Sequence, residues 1–153
     1  MGRLTEVAPG VLVATSAYAM TTSTVVVGSS GGCLLVDPAV TVADLAALAG
    51  ELADLGLRPA VAWSTHPHWD HVLWSAGLGD APRYAAPAAV TLLAAERGAM
   101  LEQLGQSAPG HDLELVGRMQ PLDGTASSRR ANRSSRPVKA ISASSRASGA
   151  PTQ

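Results

Sequence analysis

Three runs of aliphatic and β-branched residues open the chain, at residues 11–14, 24–27 and 33–36, separated by Gly, Ser and Thr. That pattern predicts short strands joined by turns. Gly28, Gly31 and Gly32 surround two serines between the second and third runs. Glycine tolerates the positive φ that tight loops demand, so these two runs read as a hairpin. Asp37-Pro38 ends the third run. From Thr41 the period changes, because Val42, Leu45, Leu48, Leu52 and Leu55 recur at helical spacing, with Asp44, Glu51 and Asp54 on other faces. Thr41 suits the first cap, Asp44 the positive N-terminal end and Gly56 a left-handed C-terminal position. After a break at Arg58-Pro59, residues 60–64 predict a short buried strand. Residues 69–78 predict a short helix stopped by Gly77 and Gly79, residues 83–86 a strand, and residues 88–104 a second long helix. The apolar stripe of that helix is Val90, Leu93, Ala94, Met100, Leu101 and Leu104, weakened by Gly98. Strands followed by helix-strand units give an α/β, layered chain.

Composition adds a boundary. Residues 124–153 hold eight Ser, five Arg, one Lys and no acid, with almost no large apolar side chain. Such a segment buries too little surface to offset its ordering entropy and is expected to be disordered. Residues 1–123 carry net −7 and residues 124–153 net +6, which divides the chain into a globular unit and a basic tail. A basic tail can bind nucleic acid by counterion release, but this one has no aromatic residue for base stacking. A shifted reading frame would leave the same low-complexity remainder.

Location follows from what the chain lacks. No run of 18 apolar residues occurs, so no membrane span is expected. Near the N-terminus only Arg3 is basic, and Glu6, Pro9 and Gly10 interrupt the approach to the first apolar run, which reads as a strand rather than a signal peptide. A single cysteine, Cys33, excludes an internal disulfide and makes the cytoplasm the default compartment. Within its apolar run, Cys33 reads as a small buried hydrophobe.

The chemistry is concentrated in Ser64-Thr65-His66-Pro67-His68-Trp69-Asp70-His71, which holds three of the four histidines and one carboxylate. Imidazole and carboxylate donors without thiolate suit Zn, Fe or Mn better than a structural cysteine site. His66 and His68 alternate and can face one way. Asp70 and His71 diverge from that pair, which points to two half-shells for two neighbouring ions, as in two-metal sites whose ions lie about 3.5–4 Å apart.

This pattern resembles the His-x-His-x-Asp-His signature of the metallo-β-lactamase-fold hydrolase superfamily, which includes glyoxalase-II-like thioesterases and lactonases. The resemblance implies a layered αββα fold built as two similar halves. Residues 1–123 would supply the first half, so the chain would be truncated and the fold incomplete, with residues 124–153 as a disordered tail. His66 and His68 match the histidines of the first metal site, and Asp70 and His71 match donors of the second. Val72-Leu73-Trp74-Ser75 stands where the family often has a Gly-Gly pair, as in a divergent branch. Asp37 matches an aspartate that supports the metal centre without binding it; a turn-initiating Asp-Pro is the alternative. His111 lies in a Pro-Gly-His-Asp turn, with a third-ligand role as the alternative to a turn role, and no histidine follows it.

The implied activity is zinc-dependent hydrolysis, with one or two ions and Fe or Mn as substitutes. Water would attack an ester, thioester, lactone, amide or phosphoester, and Asp70 would bind the second ion and orient or accept the water's proton. The expected partner is a small-molecule substrate, with no membrane and no nucleic acid. An exposed sheet edge would favour self-association. Because the family's remaining donors have no match here, activity of this chain is expected to be weak or absent. A non-catalytic, metal-binding remnant is one rival reading, and a nucleic-acid-associated protein acting through the tail is another.

Overall fold

The computed structural model describes residues 1–122. The expected disordered tail, residues 124–153, lies outside the described residues. Seven strands form one sheet in sequential order: β1 (Thr5–Ala8), β2 (Val11–Thr15), β3 (Thr22–Val27), β4 (Gly32–Val36), β5 (Arg58–Trp63), β6 (Arg83–Ala85) and β7 (Gln120–Pro121). The first four pair antiparallel through short turns, and β4 to β7 pair parallel. Parallel neighbours need long crossovers. Helix α1 (Val42–Asp54) supplies the one from β4 to β5, and α2 (Pro87–Ser107) the one from β6 to β7.

The predicted strands at 11–14, 24–27 and 33–36 form, as β2, β3 and β4. Strand β1 was not predicted because all four of its residues are exposed and show no alternation. It is held by pairing with β2 across the Pro9-Gly10 turn, where Gly10 takes φ +73°. Strand β5 starts earlier than expected and includes Pro59. Only Ala62 and Trp63 of β5 pair with β6, and the β4–β5 register slips opposite Pro59, so the missing N–H disrupts little.

Helix α1 is capped at both ends. Thr41 Oγ1 accepts from Asp44 N at 3.0 Å. At the other end Leu57 N donates to Leu52 O at 2.8 Å and Gly56 N to Ala53 O at 3.0 Å, with Gly56 at φ +68°. These two bonds form a Schellman motif that satisfies the last carbonyls. Leu45, Leu48 and Leu52 are fully buried in a core with Val25, Cys33 and Leu35. Asp44 departs from the expected outward face: it is buried and accepts from Ser16 Oγ at 2.6 Å, besides an ion pair with the Met1 ammonium.

Residues 69–78 do not make the predicted helix. Two 3-10 turns form instead, Trp69–His71 and Ala76–Leu78. Between them Val72, Leu73 and Trp74 are all buried. Three consecutive buried side chains cannot share one face of an amphipathic helix, so burial overrides the helical spacing. Helix α2 begins with Pro87 in its first turn and buries Ala89, Leu93, Met100 and Leu104. Ala94, expected in the stripe, is exposed, and Val90 is half-buried.

Alternation along the strands leaves a second sheet face. Val13, Thr24, Val36, Trp63 and Tyr84 are register partners across β2 to β6, all half-buried. None of them joins the core cluster. Among the described residues no helix is long and apolar enough to cross a membrane.

Candidate metal centre

Strands β4 and β5 run parallel and end at the same edge, where Asp37 N donates to Trp63 O at 3.0 Å. Side chains at strand ends and in the following loops build sites on such edges. Asp37 leaves β4 in a left-handed conformation, φ +47°, one of few non-glycine residues to do so. Aspartate tolerates this region better than most residues. The bend turns its buried carboxylate toward the loop that follows β5.

That carboxylate organises two of the histidines. Oδ1 accepts from Thr65 N at 2.8 Å and Oδ2 from Thr65 Oγ1 at 2.6 Å. Thr65 Oγ1 is also 3.0 Å from His66 Nδ1. A hydroxyl has one proton, and here it is committed to the carboxylate, so His66 Nδ1–H must donate to Thr65 Oγ1. His66 Nε2 therefore keeps its lone pair. His71 Nδ1 lies 3.0 Å from Asp37 Oδ2. The distance is that of an ion pair, but the contact is off the line a hydrogen bond needs, so the buried Nδ1 has a charge partner without an aligned acceptor. A carboxylate beside an imidazole fixes its ring and raises its basicity, the contact that the supporting role expected of Asp37 requires.

The remaining residues converge on the same edge. The rings of His66 and His71 have centroids 3.8 Å apart, and those of His66 and His68 4.6 Å. Asp70 Oδ2 lies 3.4 Å from His71 Nε2 and accepts from Thr21 Oγ1 at 2.9 Å. Ser64, buried at the end of β5, donates to His71 O at 2.7 Å and ties the loop back on itself. Thr21 and Thr65 are the residues sequence reasoning missed. Neither has a sequence signal of its own, although Thr65 sits inside the histidine-rich stretch.

Electrostatics follow from these contacts. Burial pushes the Asp37 carboxyl up, but contacts from His71 and Thr65 outweigh it and hold the group below the usual carboxylate range. Burial pushes His71 down, and Asp37 with Asp70 outweigh that and raise it. His66 is lowered by burial and by the neighbouring His71 and His68. The two carboxylates thus pull His71 up while burial and the adjacent imidazoles pull His66 down.

The donors fit a borderline divalent ion in kind: imidazole and carboxylate, with one histidine tautomer set and another backed by a carboxylate. In number they fall short. Among the described residues no set of three or more His, Cys, Asp or Glu side chains is arranged to hold one ion. His111 does not make up the difference. Both of its ring nitrogens are buried without a hydrogen-bond partner, close to the Val40 backbone, and burial lowers its pKa.

Comparison with known proteins bears on the family and the fold. The family model described as the metallo-beta-lactamase superfamily matches residues 18–138, past the point near Gly124 where the resemblance was expected to end. The structure is similar to that of a beta-lactamase domain protein from Burkholderia ambifaria, with 17% identity over 78% of this chain and 42% of that one and a TM-score of 0.52. It is also similar to the metallo-beta-lactamase TMB-1, with 22% identity, 63% and 49% coverage and a TM-score of 0.50. The chain thus spans less than half the length of either structure. No curated protein matches it. The family match covers most of the chain, and the sheet and the helices accord with it: the chain belongs to the metallo-beta-lactamase superfamily.

Proposed function

We propose that this chain is a metal-dependent hydrolase in which His66 and His68 hold one ion and Asp70 and His71 a second. The observation that carries the reading is the gathering of three imidazoles and Asp70 at one strand-end edge, with Thr65 setting the His66 tautomer. When bound, zinc, or iron or manganese in its place, supplies Lewis-acid activation of water and of a carbonyl or phosphoryl group. The protein's own residues do the rest. Asp70, held by Thr21, orients the attacking water and takes its proton. Asp37 keeps His71 turned with Nε2 toward Asp70, and Thr65 leaves His66 Nε2 free to bind. The substrate class is an ester, thioester, lactone, amide or phosphoester.

A catalytic zinc usually has three protein ligands, so further donors must come from outside the described residues, and the 153-residue chain alone should turn over weakly or not at all. That shortfall also supports a second reading, a metal-binding protein without turnover. Hydrolysis of a panel of ester, thioester and lactone substrates with added Zn²⁺ or Mn²⁺ tests both. Metal-dependent turnover lost in His68→Ala supports the hydrolase. Metal binding with no turnover on any substrate, in the chain or joined to a family-like second half, supports the other reading.

A further inference from the structure

Beside the histidine loop lies a recess of about 240 Å³ between that loop and α2. His68 and Asp70 line it, together with the buried side chains of Trp69, Leu93 and Met100. Leu92, 43% exposed, adds an apolar rim. At this size it takes a fragment rather than a drug-sized ligand.

Besides the imidazole of His68 and the amide of Gln103, the lining carries two carboxylates. Asp70 and Glu96 both face the recess, and no lysine or arginine lines it. Asp70 is occupied by Thr21 and His71, and a metal ion there would neutralise it. Glu96 has no such partner: among the described residues it makes no ion pair and no hydrogen bond. The next residue, Arg97, donates to Leu113 O at 2.9 Å, away from Glu96. An apolar lining with a single uncompensated carboxylate selects an organic cation with an apolar body.

We propose that this recess is a binding site for a small amphiphilic cation, a short alkyl or aryl group carrying an ammonium. The ammonium sits at Glu96 and the apolar group lies over Trp69, Leu93 and Met100. Because His68 and Asp70 line the recess, the same site would receive the cationic arm of a substrate cleaved next to it, a step that rests on the hydrolase reading.

The test is a titration of the full chain, without metal, followed by ¹H–¹⁵N chemical shifts. The probes are hexylammonium, 1-hexanol and hexanoate, which share one apolar body and differ in charge. Hexylammonium should shift the Trp69 indole and the backbone signals of Leu92, Glu96 and Met100, and bind about fivefold tighter than hexanol, as one partly exposed charge contact allows. Hexanoate should bind weakest. Glu96→Gln, at an exposed helical position, should abolish the preference for hexylammonium and leave hexanol unchanged, and Leu92→Ala should weaken all three. Equal affinities, a preference for hexanoate, shifts elsewhere, or an unchanged preference in Glu96→Gln would overturn the proposal. The readout needs neither metal nor turnover, so a chain that binds hexylammonium here and hydrolyses nothing keeps the site while rejecting the hydrolase. Turnover without cation selectivity does the reverse.

Discussion

The Asp37 Oδ2 atom lies 3.0 Å from His71 Nδ1, joining the end of β4 to the last residue of the histidine loop across 34 positions of sequence. The same carboxylate holds Thr65 by two hydrogen bonds, so one buried side chain reaches His71 directly and His66 through Thr65.

Asp37→Asn keeps the size and the tolerance of left-handed backbone but removes the charge. Zinc affinity should fall about 10–100-fold, as for loss of a residue that supports a metal ligand. Competition with a chelating indicator measures this. An affinity equal to wild type would remove Asp37 from the centre.

Thr65→Val removes the hydroxyl that lies between Asp37 and His66, and Thr65→Ser retains it. The valine variant should lose the preference for Nδ1–H at His66, seen in ¹⁵N shifts of the imidazole, and bind zinc about tenfold more weakly. The serine variant should restore both. If serine behaves like valine, the hydroxyl by itself does not set the His66 tautomer.

Two glycines should respond with opposite signs. Gly50 lies inside α1, and a Cβ there meets nothing within 4 Å, so Gly50→Ala should stabilise by about 0.5–1 kcal/mol. Gly56 has equal space but φ +68°, so Gly56→Ala should destabilise by about 1–2 kcal/mol. Urea unfolding gives both values, and a stabilising Gly56→Ala would contradict the Schellman assignment.

Asp44 makes stability depend on pH. Burial raises its pKa, but bonds from the amino terminus and Ser16 outweigh this and lower it. A lowered folded value contributes stability above the unfolded pKa of about 3.9, lost as pH falls through the folded value. Asp44→Asn should therefore cost about 1–3 kcal/mol at neutral pH and progressively less in acid. Parallel losses of Tm for wild type and Asp44→Asn from pH 6 to pH 2 would show that Asp44 adds nothing to acid sensitivity; those pH points are chosen to lie roughly either side of that pKa.

Periodicity and end signals were legible in the sequence where local physics decides. Thr41 and Gly56 bound α1 as predicted, and the β2–β3–β4 runs follow their β-branched residues. The histidine stretch was legible because its donors are contiguous. Long-range burial was not: Val72 to Trp74 fold inward as a block, and Asp44 turns from a helix face to a buried partner of Ser16. Thr21 reaches Asp70 across 49 residues, a contact that only the assembled sheet creates.

The central claim is that residues 66–71 hold metal, and zinc titration of purified chain measures it directly. Wild type should take up zinc more weakly than a complete three-ligand site, His68→Ala more weakly still, and the His66→Ala/His68→Ala double variant should lose the ion those two histidines share. Equal zinc uptake by wild type and the folded double variant would contradict the account.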